Sequence, residues 1–272
     1  MDGFDVCAIL CASTIEISMY RMVYMEWGEN GGQLASYLIL LDVRRNINMK
    51  KHSKAIKYAI DKGFQKFKVK KEESVVKVVN DVIQGFQIDE YRNHGHKVTY
   101  LKFSIYPVCD IESYCNGYFL SMCANDLLNV PVIDTYLADE KICDMLDKIV
   151  FPFFEKYNTC KKYYGYIHRS EKLETYSIEY LFYALKTKSI EDAVNILENQ
   201  MKDIDDAYES YKGVFSEEEL QEKYNAFQAE KEHLNSMINR ILSYTSDELD
   251  NMLIENEKRG IEFIKEHLVQ LN

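Results

Sequence analysis

The chain has 272 residues, 47% of them hydrophobic and 13% aromatic, which excludes an intrinsically disordered protein. With only three prolines and no Gly/Ser-rich stretch, any two units should pack directly on each other rather than swing on a tether. The net charge of −11 divides unevenly: residues 44–77 hold twelve Lys or Arg against three acids, and residues 171–272 hold twenty-three acids against eleven bases.

In chain order, the apolar run Val6–Ala12 suits a short buried strand. Residues 15–25 fit either an alternating strand or a helix opened by Ser13 and Glu16. Glu29-Asn30-Gly31-Gly32 marks a turn, and Leu34, Tyr37, Leu38 and Leu41 favour a helix. Residues 50–62 predict a helix with Ile56, Ala59 and Ile60 inward and Gly63 as its left-handed cap. Residues 64–71 alternate, with Phe67 and Val69 opposed to Lys66, Lys68 and Lys70. Val75, Val79, Val82 and Phe86 return to helical spacing.

Residues 98–106 and 118–124 predict two strands that the intervening loop would join as an antiparallel pair. Residues 138–150 predict a helix that Pro152 should kink or end, and 163–168 a last strand. Everything after Ser177 reads as helix, with starts at Ser189, Ser216 and Thr245, each followed three residues on by a carboxylate. Heptad-like seams run Ile190, Val194, Leu197, Met201, Ile204, Tyr208, Tyr211, then Leu220, Tyr224, Phe227, Lys231, Leu234, Ile238, Ile241. A weaker seam runs Ile254, Ile261, Ile264, Leu268, Leu271. Lys231 in a seam calls for an edge position or an acidic neighbour. The expected class is α+β: a mixed unit over 1–170 with a small, largely antiparallel sheet, then an antiparallel helical bundle over 171–272 with a coiled-coil-like hairpin.

No glycine-rich phosphate loop, H-E-x-x-H or G-x-S-x-G motif occurs, and no cofactor is expected. His94 and His96 are the only close histidine pair. A hydrolytic metal site would use them with Asp89, Glu90 or Cys109, although their spacing matches no standard zinc pattern and a polar turn is the preferred reading. His168-Arg169-Ser170 resembles one half of the paired H-x-T/S signature of two-histidine phosphoesterases, but the second half is missing. The seven cysteines form no C-x-x-C pair and read as reduced core thiols. Val6–Ala12 is too short for a signal peptide or a membrane span and lacks a basic flank, so a cytoplasmic protein with no membrane contact is expected.

Two surfaces are candidates for binding. Arg44, Arg45, Lys50, Lys54, Lys57, Lys66, Lys68 and Lys70 would track a phosphate backbone if the protein binds nucleic acid. The preferred reading is a solvated face whose lysines guard a sheet edge. Twenty-one tyrosines are many for this length. Tyr157, Tyr163, Tyr164, Tyr166, Tyr208 and Tyr211 are the partner-binding candidates, against a half-buried layer between sheet and helices as the plainer alternative. Acidic helices and abundant tyrosine suggest a non-catalytic protein, monomeric or dimeric, that inhibits a basic toxin or effector. Bacterial immunity proteins and phage inhibitors of host defence share this composition, but no motif here identifies them. The alternatives are nucleic-acid binding by residues 44–77 and a metal-dependent hydrolase or phosphodiesterase.

Overall fold

In the computed structural model, the residues described are 52–69, 72–93, 96–110, 122–123, 136–169, 178–212 and 214–269. The elements expected before residue 50 lie outside them. Helix α1, Ser53–Asp61, buries Ala55, Ile56 and Ala59. Gly63 ends it at φ 87°, its amide bonded to the Ile60 carbonyl. A five-stranded antiparallel meander follows in the spatial order of the sequence: β1 Gln65–Val69, β2 Glu72–Val79, β3 Val82–Asn93, β4 His96–Pro107 and β5 Met122–Cys123. The β4–β5 pairing anticipated from the sequence is present, with Phe103 opposite Met122.

The helix expected across Val75–Phe86 is instead β2 and β3, joined through Asn80 and Asp81. The valine spacing satisfied a helix, but the β-branched pairs Val75-Val76, Val78-Val79 and Val82-Ile83 are stiff at χ1 and pack better on a pleated surface. Asn80 supplies the positive φ, 55°, that the reversal needs. This turn also anchors the next layer. The Asp81 carbonyl accepts from the Val108 amide at 2.9 Å, and its carboxylate accepts from the Cys160 amide at 3.0 Å. Asn80 donates to the Asn158 carbonyl.

Both sheet faces are covered. Val75, Phe86, Leu101, Phe103 and Ile105 belong to the main core with α1 and the central helices. Phe67, Val76, Ile83, Tyr106 and Val108 form a second cluster with Ile264. Helix α2, Asp139–Met145, does not stop at Pro152. The path widens into a π turn over Leu146–Val150 and continues as α3, Phe151–Lys156. Proline lacks the amide that would bond Lys148, and a π turn accommodates the missing bond.

The strand expected at 163–168 is helix α4, Cys160–Ile167. Thr159 caps it by accepting from the Lys162 amide, and Cys160, Tyr163, Tyr164 and Ile167 form a helical inner face. Helix α5, Leu181–Lys186, leads into α6, Ile190–Tyr211, α7, Glu217–Ser243, and α8, Ser246–His267. Ser216 and Thr245 form complete capping boxes with Glu219 and Glu248, whereas the Ser189 side chain makes no capping bond to the amides of its helix. Contacts pair Asp205 with Lys231 and Tyr208 with Tyr224, so α6 and α7 run antiparallel. Lys231 has the acidic neighbour its seam position demanded, at 2.7 Å.

The third seam is phased differently from the sequence reading. α8 buries Leu249, Leu253, Asn256, Gly260 and Ile264, leaving Ile254 and Ile261 exposed at 48% and 38%. Gly260 sets that phase. A Cβ there would lie 2.1 Å from the Val108 carbonyl oxygen, so only glycine admits so close an approach. Residues on both sides of 170/171 thus share one buried cluster. No described helix is long and apolar enough to cross a membrane.

His52 closes the other end. Its Nδ1 lies 2.9 Å from Asp139 and its Nε2 3.0 Å from Glu90, and the ring is 1% exposed. Asp139 also accepts from the Lys54 amide, so this carboxylate fixes the start of α1 against α2.

Two tests follow from this packing. Gly260→Ala should cost about 3 kcal/mol by urea denaturation, the upper part of the usual range for overpacking. Gly165→Ala, whose Cβ meets nothing within 4 Å, should stabilise by about 0.5–1 kcal/mol. Equal effects would disprove the close-approach account. His52→Leu, which removes the ring that the two shielded carboxylates share, should cost about 3 kcal/mol; a neutral result removes the clamp.

Candidate partner-binding surface

The α6–α7 hairpin is built in two parts. Its root belongs to the main core through Ala193, Ile196, Leu197 and Ile204 of α6 and Phe227, Leu234, Met237 and Ile241 of α7. Beyond Phe227 toward the tip, α7 buries nothing fully: residues 217–226 are exposed apart from half-buried Leu220 and Lys223. Aromatic rings hold the tip together. Tyr208 lies 5.3 Å from Tyr224, Tyr211 lies 5.0 Å from Phe215, and Tyr211 stacks 6.0 Å from Phe227. Val214 at the turn is 57% exposed and Tyr224 38%.

Around these rings the charge is mainly negative. Residues 202–223 contain eight acids and three lysines. Asp205 holds Lys231 and Glu209 holds Lys212, but Asp206, Glu217, Glu218 and Glu222 point outward on exposed helix surface. The Ser216 hydroxyl and amide hydrogen-bond Glu219 and hold its carboxyl below the usual range. Acids in the first turn of α7 also suit the positive end of the helix dipole. Local helix chemistry therefore accounts for some of the acidity; Asp206 and Glu222 lie outside that turn.

The tyrosine candidates separate by burial. Tyr157, Tyr163 and Tyr164 are buried and Tyr166 half-buried, in a stack where Tyr157 and Tyr166 lie 4.6 Å apart and Tyr163 and Tyr183 5.3 Å. Burial pushes the Tyr163 and Tyr183 hydroxyls up, and Tyr183 donates to the Ile105 carbonyl. These rings form the layer between sheet and helices. Tyr208 and Tyr211 are half-buried at the hairpin tip. Phe215, Tyr224 and the lysines beside them join that tip, although only Tyr224 carried a sequence signal, as a seam residue.

Of the basic candidates, Arg44, Arg45, Lys50 and Lys70 lie outside the described residues, as does His94. His96 begins β4, opposite Asn93. Lys54 and Lys57 are exposed on α1, and Lys66 and Lys68 lie on β1. Lys54 faces Glu140 at 3.4 Å and Lys68 faces Glu73 at 3.1 Å, so carboxylates partly balance this face. β1 is an edge strand, and the chain after α8 lies against it: Leu268 bridges Phe67, and the Val269 amide donates to the Lys66 carbonyl. His168 follows α4 and pairs with Asp192 at 3.3 Å.

Among the described residues no group of three or more His, Cys, Asp or Glu is placed to hold a metal ion. The Cys160 thiol donates to the Asp81 carbonyl, and burial pushes it far up, away from the thiolate a nucleophile needs. The His52 cluster escaped the sequence reading because its partners lie 38 and 87 residues away. No family model matches the chain, and no curated protein or solved structure does either.

His233 on α7 has a shielded Nε2 with no hydrogen-bond partner among the described residues, and burial lowers its pKa from the usual histidine value. The unfolded chain therefore binds this proton more readily than the folded one. Its contribution is fully present above the unfolded value and is lost as pH falls toward the folded value. His233→Leu should flatten the fall in urea midpoint between about pH 7 and pH 5 relative to the parent. Parallel curves would show that His233 is solvated in the fold.

Proposed function

We propose that this is a non-catalytic binding protein that inhibits a basic protein partner through the tip of the α6–α7 hairpin. The observation that carries this reading is the tip itself, where exposed carboxylates ring a group of aromatic side chains beyond the supported root. Tyrosine and phenylalanine give contact area at small entropic cost, and a surrounding field of one sign steers an oppositely charged partner. A toxin or effector that itself binds nucleic acid presents such a basic surface. Inhibition follows if the hairpin covers the residues that the nucleic acid would occupy.

The setting fits a reducing compartment such as the cytoplasm. Among the described residues, Cys143 and the buried Cys160 are free thiols. The carboxylates facing Lys54 and Lys68 weigh toward a protein partner rather than nucleic acid on the basic face.

The test is crosslinking and purification from cells that naturally make the protein, followed by titration of the recovered partner against Asp206→Lys/Glu222→Lys. Both positions are exposed. One basic partner in equal stoichiometry is expected, its activity blocked by the parent protein. The double variant should weaken affinity at least tenfold at low salt, about 1.4 kcal/mol, with a smaller difference at high salt. An acidic partner, or one indifferent to the reversal, would refute the reading.

A further inference from the structure

Lysines of the hairpin already sit on its aromatic faces. The Lys223 ammonium lies 4.6 Å from the Phe215 ring centre and 5.3 Å from that of Tyr211, and Lys212 lies 5.2 Å from that of Tyr208. The negative face of an aromatic ring attracts a cation by its quadrupole, most strongly where water is excluded. Nearby carboxylates add to the attraction: Glu209 holds Lys212 at 2.6 Å, and Glu219 lies in the field of Lys223. The tip is therefore a cation-binding surface filled by the chain's own side chains.

We infer that an arginine or lysine side chain of the partner replaces Lys223 over Phe215 and Tyr211 when the complex forms. This rests on the reading of the tip as the partner surface and names the group that it recognises. Arginine is the better ligand: its guanidinium is planar, stacks on rings and sheds water more easily than an ammonium. Lys223 is the natural group to yield. It is half-buried on α7, and its flexible stem can swing outward while the backbone stays in place. Lys212, which Glu209 holds at 2.6 Å, lies over the Tyr208 ring, whereas Lys223 spans two rings.

The inference separates cation–π recognition from simple attraction between opposite charges. Removing Lys223 makes the already acidic tip more negative whatever the rings do, so Lys223→Met alone is an incomplete test. The decisive comparison is the same substitution with and without the ring beneath it.

A short arginine-only peptide, labelled for fluorescence anisotropy, serves as the probe. The proteins are the parent, Lys223→Met, Phe215→Leu, the double variant Lys223→Met/Phe215→Leu and Asp206→Lys/Glu222→Lys. Circular dichroism and urea midpoints check that each is folded. Lys223→Met should tighten binding about threefold, and Phe215→Leu should weaken it by a similar factor. In the Phe215→Leu background, Lys223→Met should gain much less. An equal gain in both backgrounds overturns the displacement and leaves the acidic tip as the binding surface. A peptide that binds Asp206→Lys/Glu222→Lys as tightly as the parent overturns both readings.

Discussion

The peptide unit of Val108 joins the two faces of this fold. Its amide donates to the Asp81 carbonyl in the β2–β3 turn, and its carbonyl oxygen meets the backbone of α8 at Gly260, where no side chain larger than hydrogen fits. One residue past β4, it thus ties the turn of one hairpin to the last helix. Ile264, one turn farther along α8, then reaches the cluster of Phe67, Val76, Ile83 and Tyr106. Close backbone approach explains why α8 presents Leu249, Leu253, Asn256, Gly260 and Ile264 inward and leaves Ile254 and Ile261 outside. Packing distance, rather than hydrophobicity alone, chooses the buried face.

That choice bears on the hairpin. α7 enters α8 through Tyr244 and Thr245, and Leu249 and Leu253 share the main core with Leu234, Met237 and Ile241. The root of α7 therefore belongs to the main core together with α6 and the start of α8. Among the described residues nothing comparable supports residues 217–226, where stability rests on the Ser216 capping box, helix propensity and the rings shared with α6. A surface built this way can exchange one set of side-chain contacts for another without disturbing the core, as the proposed binding by the tip would require.

The α+β class was legible because its signals were local. Gly63 after a helical run, the alternation of Phe67 with lysines, and the hydroxyl–carboxylate pairs at Ser216 and Thr245 each act within a few residues. Lys231 announced an acidic neighbour because a charge in an apolar seam needs one. The errors arose where two periodicities overlap. Valines at 75, 79 and 82 satisfy a helix while their β-branched neighbours satisfy strands, and only the turn through Asn80 decides between them. Tyr163, Tyr164 and Tyr166 read as a strand until Thr159 is recognised as a helix cap. The phase of α8 had no local signal, since Val108 lies 152 residues before Gly260 along the chain.

Tyrosine itself illustrates why composition alone does not locate a binding surface. The same residue type fills a dry layer at Tyr163 and Tyr183, and a charged outer edge at Tyr208 and Tyr224. The neighbours distinguish the two uses. In the interior, rings meet other rings and backbone acceptors, and the hydroxyl loses its tendency to ionise. At the tip, rings meet ammonium groups in contacts that are individually weak. On the proposed reading, such individually weak contacts are the ones a partner replaces at small cost, which is why the tip rather than the dry tyrosine layer is the surface proposed for binding.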